Sequence, residues 1–218
     1  METLTEFTLR KEYKKKSHAI KSRLKEFSAI RQEEYFYELI FCLLTPQSNA
    51  KKCWDAVQEL KKCSRNIQDK EYHQAILITP SIKIKSCLKR NTRFYKNKTA
   101  YILELAKNWK NTEKIIYMEK NPIYLREFLA KNIKGLGMKE ASHFIRNIGK
   151  SKNQLAILDR HILKNLIALK VIQNIPDLNK NNYLLIEKLM KNFSKKIKIP
   201  LDELDLLLWS LETGEIFK

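Results

Sequence analysis

Glycine is unusually scarce in this sequence. Four glycines occur in 218 residues, and three of them, Gly135, Gly137 and Gly149, lie in one short stretch. A sheet-rich chain of this length needs many more residues that tolerate turn conformations. Apolar residues recur instead at helical three- and four-residue steps, at Ala50, Cys53, Trp54, Val57 and Leu60, and again at Phe94, Tyr101, Ile102, Leu105 and Trp109, where Lys98 alone breaks the apolar series. The sequence therefore predicts an almost entirely α-helical fold.

Several individual helices can be predicted from the same patterns. A central helix that is buried on several sides is expected over residues 34–44, which are apolar nearly all round. Local cap and stop signals predict four further helices: from Asn121-Pro122 to about Lys131, from near Met138 to Gly149, from Asp159 onward, and over 200–213 with Gly214 as its C-cap. Another is expected near 180–195. The stretch 82–90 alternates like a strand but is too isolated to form a sheet, so it receives no assignment.

The net charge points to a polyanionic partner. Lysine and arginine total 43 against 24 acidic residues, which gives +19 at pH 7. Such a surplus favours nucleic acid or an anionic membrane face. The longest apolar run, Leu204 to Leu211, is far shorter than the ~20 residues of a spanning helix, and the N-terminus does not resemble a signal peptide. We therefore expect a cytoplasmic protein without a membrane partner, and we interpret the basic run Arg10 to Lys25 as a solvated helix face.

The cysteines do not suggest a metal site. Cys42, Cys53, Cys63 and Cys87 include no CxxC pair and no Cys/His cluster. We expect reduced, buried thiols.

A short hairpin between two predicted helices carries the first functional signal. It reads Ile133-Lys-Gly-Leu-Gly-Met138. Glycine at 135 and 137 permits positive φ and close approach of another molecule, while Leu136 can pack between the helices. Backbone N–H groups beside a helix N-terminus can bind a DNA phosphate without reading sequence. An ordinary helix–helix turn is the alternative, and the charge of the chain favours phosphate.

Lys139 and Asp159 are the candidate catalytic residues. Lys139 falls in the first turn of a helix, where the macrodipole disfavours a cation, and a nucleophilic lysine needs the neutral amine. Asp159 falls at a helix N-cap, where a carboxylate is stabilised. It is either a plain cap or a fixed negative charge that favours cationic character at a sugar carbon during glycosidic cleavage.

The segment from Ile133 to Asp159, which begins IKGLGMKEASHFIRNIGK, resembles the helix-hairpin-helix DNA glycosylase signature, with a lysine after the hairpin and an aspartate about twenty residues later. Within that superfamily it is most similar to the type-2 8-oxoguanine DNA glycosylase/AP lyases. Three further motifs agree: LLTPQSN from Leu43, Arg93-Phe94, and Trp209 followed by the TGEIFK sequence that reaches Lys218.

This resemblance implies an all-α, two-lobed fold with the active site in the cleft between the lobes. One lobe would be a helical barrel over 30–150 that ends in the hairpin, and the other would combine 1–29 with 151–218. Lys139 would be the nucleophile and Asp159 its acidic partner. The remaining roles implied by the family are discrimination of 8-oxoguanine from guanine by Lys218, stacking on the extruded base by Phe94 and Trp209, and approach to the vacated gap by Gln47. Core packing is the alternative for both aromatic residues.

The implied activity is excision of 8-oxoguanine from damaged duplex DNA, with strand cleavage through a Schiff base. No cofactor is expected, and no iron–sulfur cluster, because four closely spaced C-terminal cysteines are missing. A monomer associated with a prokaryotic nucleoid is expected. Two other functions remain open: a glycosylase for another damaged base, and a non-catalytic helix-hairpin-helix protein that only binds DNA.

Overall fold

The computed structural model describes residues 4–65 and 71–218, apart from the side chains of 64 and 65, and every regular element in these ranges is helical. A turn of 3-10 helix at Gln32–Glu34 leads into the second α-helix. The α-helices of the described residues are α1 Glu6–Ser28, α2 Tyr35–Leu44, α3 Ala50–Arg65, α4 Tyr72–Ile78, α5 Ser81–Lys89, α6 Tyr95–Met118, α7 Pro122–Asn132, α8 Met138–Asn147, α9 Arg160–Ala168, α10 Lys180–Ile197 and α11 Leu201–Thr213. The prediction of an all-α fold is confirmed.

The chain divides into two compact units, Ile30–Phe144 and Met1–Ala29 with Ile145–Lys218. The second boundary lies within α8, whereas the sequence predicts a limit after that helix, at residue 150. The assignment of functional lobes to these parts of the chain stays a prediction.

The core of the unit Ile30–Phe144 is built around α2. Every residue of this helix after Tyr35 is buried, as its apolar sequence predicts. It packs against α3 and α6, and the rings of Phe36 and Trp109 meet edge to face with their centroids 5.0 Å apart. Burial on several sides explains why the helix has no polar face.

The unassigned stretch 82–90 lies in α5. Ile84, Cys87 and Leu88 are its buried residues, and their spacing of three and four positions is that of one helix face. This face packs against α3 and α6. The strand-like alternation is thus a coincidence of lysines placed between helical apolar positions.

The expectation of buried thiols is wrong for Cys63. Cys42, Cys53 and Cys87 are buried, but Cys63 is exposed, because it lies on the solvent side of α3 next to the exposed Lys62. Its Sγ is 3.4 Å from Sγ of Cys87, and both are free thiols.

In the other unit, α11 packs against α1, α9 and α10. It ends at Gly214, whose φ of +81° and N–H bond to Ser210 O make it the predicted C-cap. The basic run Arg10 to Lys25 lies on α1, which buries only Leu9, Ile20 and Phe27. Within the described residues, no helix is long and apolar enough to cross a membrane.

Candidate active site

The predicted hairpin lies between α7 and α8. Leu136 is buried, as expected, and its N–H donates to Ile133 O at 3.1 Å. Gly135 has φ +84°, and a Cβ there would lie 2.3 Å from Cδ2 of Tyr101. Both its backbone conformation and the neighbouring ring therefore require glycine at this position.

Gly137 differs from Gly135. It does not adopt the positive φ that glycine permits, since Gly135, Gly149 and Gly214 are the glycines with positive φ in the described chain. A Cβ on Gly137 would lie 3.0 Å from Oε2 of Glu140. Glycine at 137 leaves room for that carboxylate.

Lys139 is the second residue of α8, and its Nζ lies 2.8 Å from Oε1 of Glu140. The lysine side chain is 25% exposed and the glutamate side chain 11%. The helix makes its first backbone bond from Ala141 N to Gly137 O, so the preceding N–H groups are not used within the helix. A partly accessible amine thus lies in direct contact with a largely buried carboxylate.

A second lysine lies deeper in the same unit. Lys98 of α6 is 4% exposed, and its Nζ donates to Leu44 O at 2.7 Å, Pro46 O at 3.0 Å and Ser48 Oγ at 2.9 Å. Burial lowers the pKa of the Lys98 ammonium, and the positive charge of Lys139 acts in the same direction.

The predicted base-contacting residues of this unit are both on the surface. Gln47 is exposed in the turn between α2 and α3, with φ +53°. Phe94 is 53% exposed and forms the N-cap of α6, with φ +57°. The Arg93 guanidinium lies 5.6 Å from the centroid of its ring. This exposure excludes core packing for Phe94 and leaves its ring available for stacking.

Asp159 is the N-cap of α9. Its Oδ1 accepts hydrogen bonds from His161 N at 2.8 Å and Ile162 N at 2.9 Å. Both bonds use Oδ1, so that Oδ2 takes no part in the cap. The cap fixes the orientation of the carboxylate without occupying its second oxygen.

Trp209 and Lys218 lie at the end of the same unit as Asp159. The chain turns back at Gly214, and the rings of Trp209 and Phe217 lie 6.5 Å apart at 30°. Trp209 and Lys218 are both half-buried. Packing of Phe217 near Trp209 holds the segment that carries Lys218 close to α11.

The site residues predicted from the sequence are thus distributed over both units. Gln47, Phe94, Gly135, Gly137 and Lys139 belong to Ile30–Phe144, and Asp159, Trp209 and Lys218 belong to the other unit. No local pattern in the sequence predicts a role for Ser48 or Glu140. Lys98 does stand out in the sequence, because it interrupts an otherwise apolar series on α6.

Comparison with known proteins identifies the family. The family model described as 8-oxoguanine DNA glycosylase matches residues 20–199. The chain belongs to this family. The 8-oxoguanine DNA glycosylase/AP lyase of Fusobacterium nucleatum subsp. nucleatum is 42% identical over 221 residues, which cover 96% of each chain.

Two crystal structures of family members resemble this fold throughout. The 8-oxoguanine DNA glycosylase of Thermotoga maritima is 28% identical, with a TM-score of 0.83 and 98% of each chain covered. The 8-oxoguanine glycosylase/lyase of Methanocaldococcus jannaschii, in complex with a 15mer DNA containing 8-oxoguanine, is 33% identical, with a TM-score of 0.79. That match covers 97% of this chain and all of the other. Within the described residues, no group of three or more His, Cys, Asp and Glu side chains could hold a metal ion.

Proposed function

We propose that this protein excises 8-oxoguanine from duplex DNA and then cleaves the strand at the resulting abasic site. Lys139 is the nucleophile and Asp159 its acidic partner. The observation that carries the proposal is a partly accessible lysine in the first turn of α8, directly after the hairpin, in a chain that belongs to the 8-oxoguanine DNA glycosylase family.

The glycosylase step begins with extrusion of the damaged base from the stack. Neutral Lys139 attacks C1′ through its Nζ lone pair while the bond from C1′ to the base nitrogen breaks. The base leaves with that electron pair and takes up one proton, and the newly bonded Nζ loses one, so the proton count balances. The carboxylate of Asp159 stabilises the positive character at C1′. Its orientation at the helix cap supports this role, since Oδ2 is not used by the cap.

The lyase step follows from the covalent intermediate. Ring opening gives a Schiff base between Nζ and C1′, which acidifies the C2′ hydrogen. Loss of that proton expels the 3′ phosphate by β-elimination, and water then hydrolyses the Schiff base to free Lys139. The amine of Lys139 activates the sugar by forming the Schiff base, so the route requires no metal ion.

Phosphate and base contacts complete the proposal. Gly135 and Gly137 let the DNA backbone approach the N–H groups at the start of α8. Phe94 and Trp209 stack on the extruded base, Lys218 separates 8-oxoguanine from guanine, and Gln47 approaches the vacated gap. The protein acts as a monomer without an iron–sulfur cluster, in the nucleoid of a prokaryotic cell. The absence of cysteine beyond Cys87 supports the cluster-free assignment.

Borohydride trapping tests the nucleophile. Reduction during turnover should join the protein covalently to DNA that contains 8-oxoguanine, and Lys139→Gln should abolish this adduct. Lys107→Gln removes an exposed lysine of α6 and is the control for lost charge. Efficient trapping by the Lys139→Gln protein would refute the assignment. A panel of duplexes with oxidised pyrimidines and mispaired adenine tests the substrate, because preferential release of another base contradicts it.

A further inference from the structure

Lys98 makes an unusual set of contacts for a buried lysine. Its backbone N–H donates to Phe94 O at 3.1 Å, in the first turn of α6. Its ammonium donates to two carbonyl oxygens and one hydroxyl, those of Leu44, Pro46 and Ser48. An ammonium has three N–H groups, so all of them are used.

These contacts join two turns that are far apart in the sequence. The three acceptors lie in residues 44–48, which include Gln47. Ser48 Oγ also accepts a hydrogen bond from Arg93 N at 3.0 Å, directly before Phe94. Through these bonds, Lys98 and Ser48 connect the turn that carries Gln47 to the turn that carries Phe94.

Both connected residues have a demanding backbone conformation. Gln47 and Phe94 have φ of +53° and +57°, although neither is glycine. Non-glycine residues rarely adopt this region, and they persist there only where their surroundings hold them. Because both side chains are exposed, their own burial cannot supply that restraint.

Core stability does not explain the choice of lysine. A buried ammonium loses its hydration, and this desolvation lowers the pKa of Lys98. An apolar residue would continue the series on α6 without that cost. What an apolar residue cannot do is satisfy the carbonyl oxygens of Leu44 and Pro46 and the hydroxyl of Ser48 at once.

We infer that Lys98 is a positioning residue for base recognition. It holds Gln47 and Phe94 in a fixed relation before DNA binds, so that the gap-approaching and stacking side chains are preorganised. The inference rests on the proposed function, since it assumes that these two residues meet the vacated gap and the extruded base.

The test compares base excision with cleavage of a preformed abasic site. Lys98→Met keeps an unbranched side chain that is one atom shorter and removes all three donors, and Ser48→Ala removes the shared hydroxyl while keeping the charge. Lys107→Met on the exposed side of α6 is the matched control. Single-turnover rates are measured on duplexes with 8-oxoguanine and with an abasic site, together with the unfolding temperature of each protein.

Lys98→Met should slow 8-oxoguanine excision by about 10- to 100-fold but abasic-site cleavage by no more than about threefold, because only the first reaction needs a positioned base. Ser48→Ala should also slow excision more than abasic-site cleavage, but by a smaller factor. This variant tests the inference even if Lys98→Met does not fold. Equal losses on both substrates, or no loss on either, would overturn the inference.

Failure of the proposed function gives a different result. In that case the wild-type protein would release no 8-oxoguanine, whatever the variants do. If the wild-type protein releases the base and the ratio of the two rates is unchanged in both variants, only the role of Lys98 is wrong.

Discussion

Lys139 and Glu140 are neighbours in sequence whose side chains form an ion pair, with Nζ 2.8 Å from Oε1. The Glu140 carboxylate holds Nζ at the start of α8, directly after the hairpin, and a positioned nucleophile reacts faster than a mobile one. The pair therefore makes the orientation of Lys139 depend on its neighbour.

Replacing Glu140 by glutamine should slow the reactions of Lys139. Glutamine keeps an oxygen acceptor but loses the charge, so it holds Nζ less firmly. In Glu140→Gln, single-turnover excision of 8-oxoguanine and cleavage of a preformed abasic site should both slow by about 3- to 10-fold, because both reactions use Lys139. Unchanged rates on both substrates would show that the ion pair does not position the lysine.

The two hairpin glycines should respond differently to alanine. Gly135→Ala places a Cβ 2.3 Å from the Tyr101 ring at φ +84°, so the free energy of unfolding should fall by at least about 1–2 kcal/mol. Gly137→Ala meets only the flexible end of Glu140, and alanine is less favourable than glycine at the start of a helix, so stability should fall by less than about 1 kcal/mol. Urea unfolding measures both values. Equal destabilisation would contradict the distinction.

Activity separates the same two variants in another way. Displacement of the Glu140 carboxylate by a Cβ at 137 should disturb its contact with Lys139. The single-turnover rates of Gly137→Ala should therefore fall, as in Glu140→Gln. Unchanged rates would show that the carboxylate keeps its position.

Lys218 should affect recognition more than chemistry. Lys218→Ala should reduce the ratio of excision rates for 8-oxoguanine and guanine, while cleavage of a preformed abasic site remains nearly unchanged. Lys188→Ala, which removes an exposed lysine of α10, is the control for lost positive charge. Single-turnover assays on the three duplexes provide the comparison, and a parallel loss on all of them would argue against a recognition role.

Local signals explain what could be predicted from the sequence. Asn121 Oδ1 accepts a hydrogen bond from Ile123 N, and Asp159 caps α9. Both caps could be predicted from the sequence, because a cap depends on residues only two or three positions away. The bonds of Lys98 join residues about fifty positions apart, and no local pattern encodes them. The exposure of Cys63 and the orientation of Glu140 likewise depend on packing and rotamers that helical periodicity leaves open.

The burial of Asp205 beside Arg146 should make the stability of the protein fall as pH rises. Arg146 Nη1 lies 3.1 Å from Asp205 Oδ2. Burial raises the pKa of Asp205 from 3.8 to about 7. The charges of Asp159 and Asp202 act in the same direction, and Arg146 opposes them. Between these two values the folded protein binds more protons at this site than the unfolded chain.

The contribution of Asp205 to the free energy of unfolding should therefore decrease from pH 4 to pH 7, by at most about 1.4 kcal/mol per pH unit, and should then level off. Asp205→Asn removes this titration while Asp202, whose pKa burial also raises, remains. Urea unfolding of both proteins at pH 5, 6, 7 and 8 isolates the effect, because the wild-type protein should lose stability relative to the variant across this range. Parallel curves would mean that Asp205 is already ionised at pH 5 and that Arg146 outweighs the cost of burial.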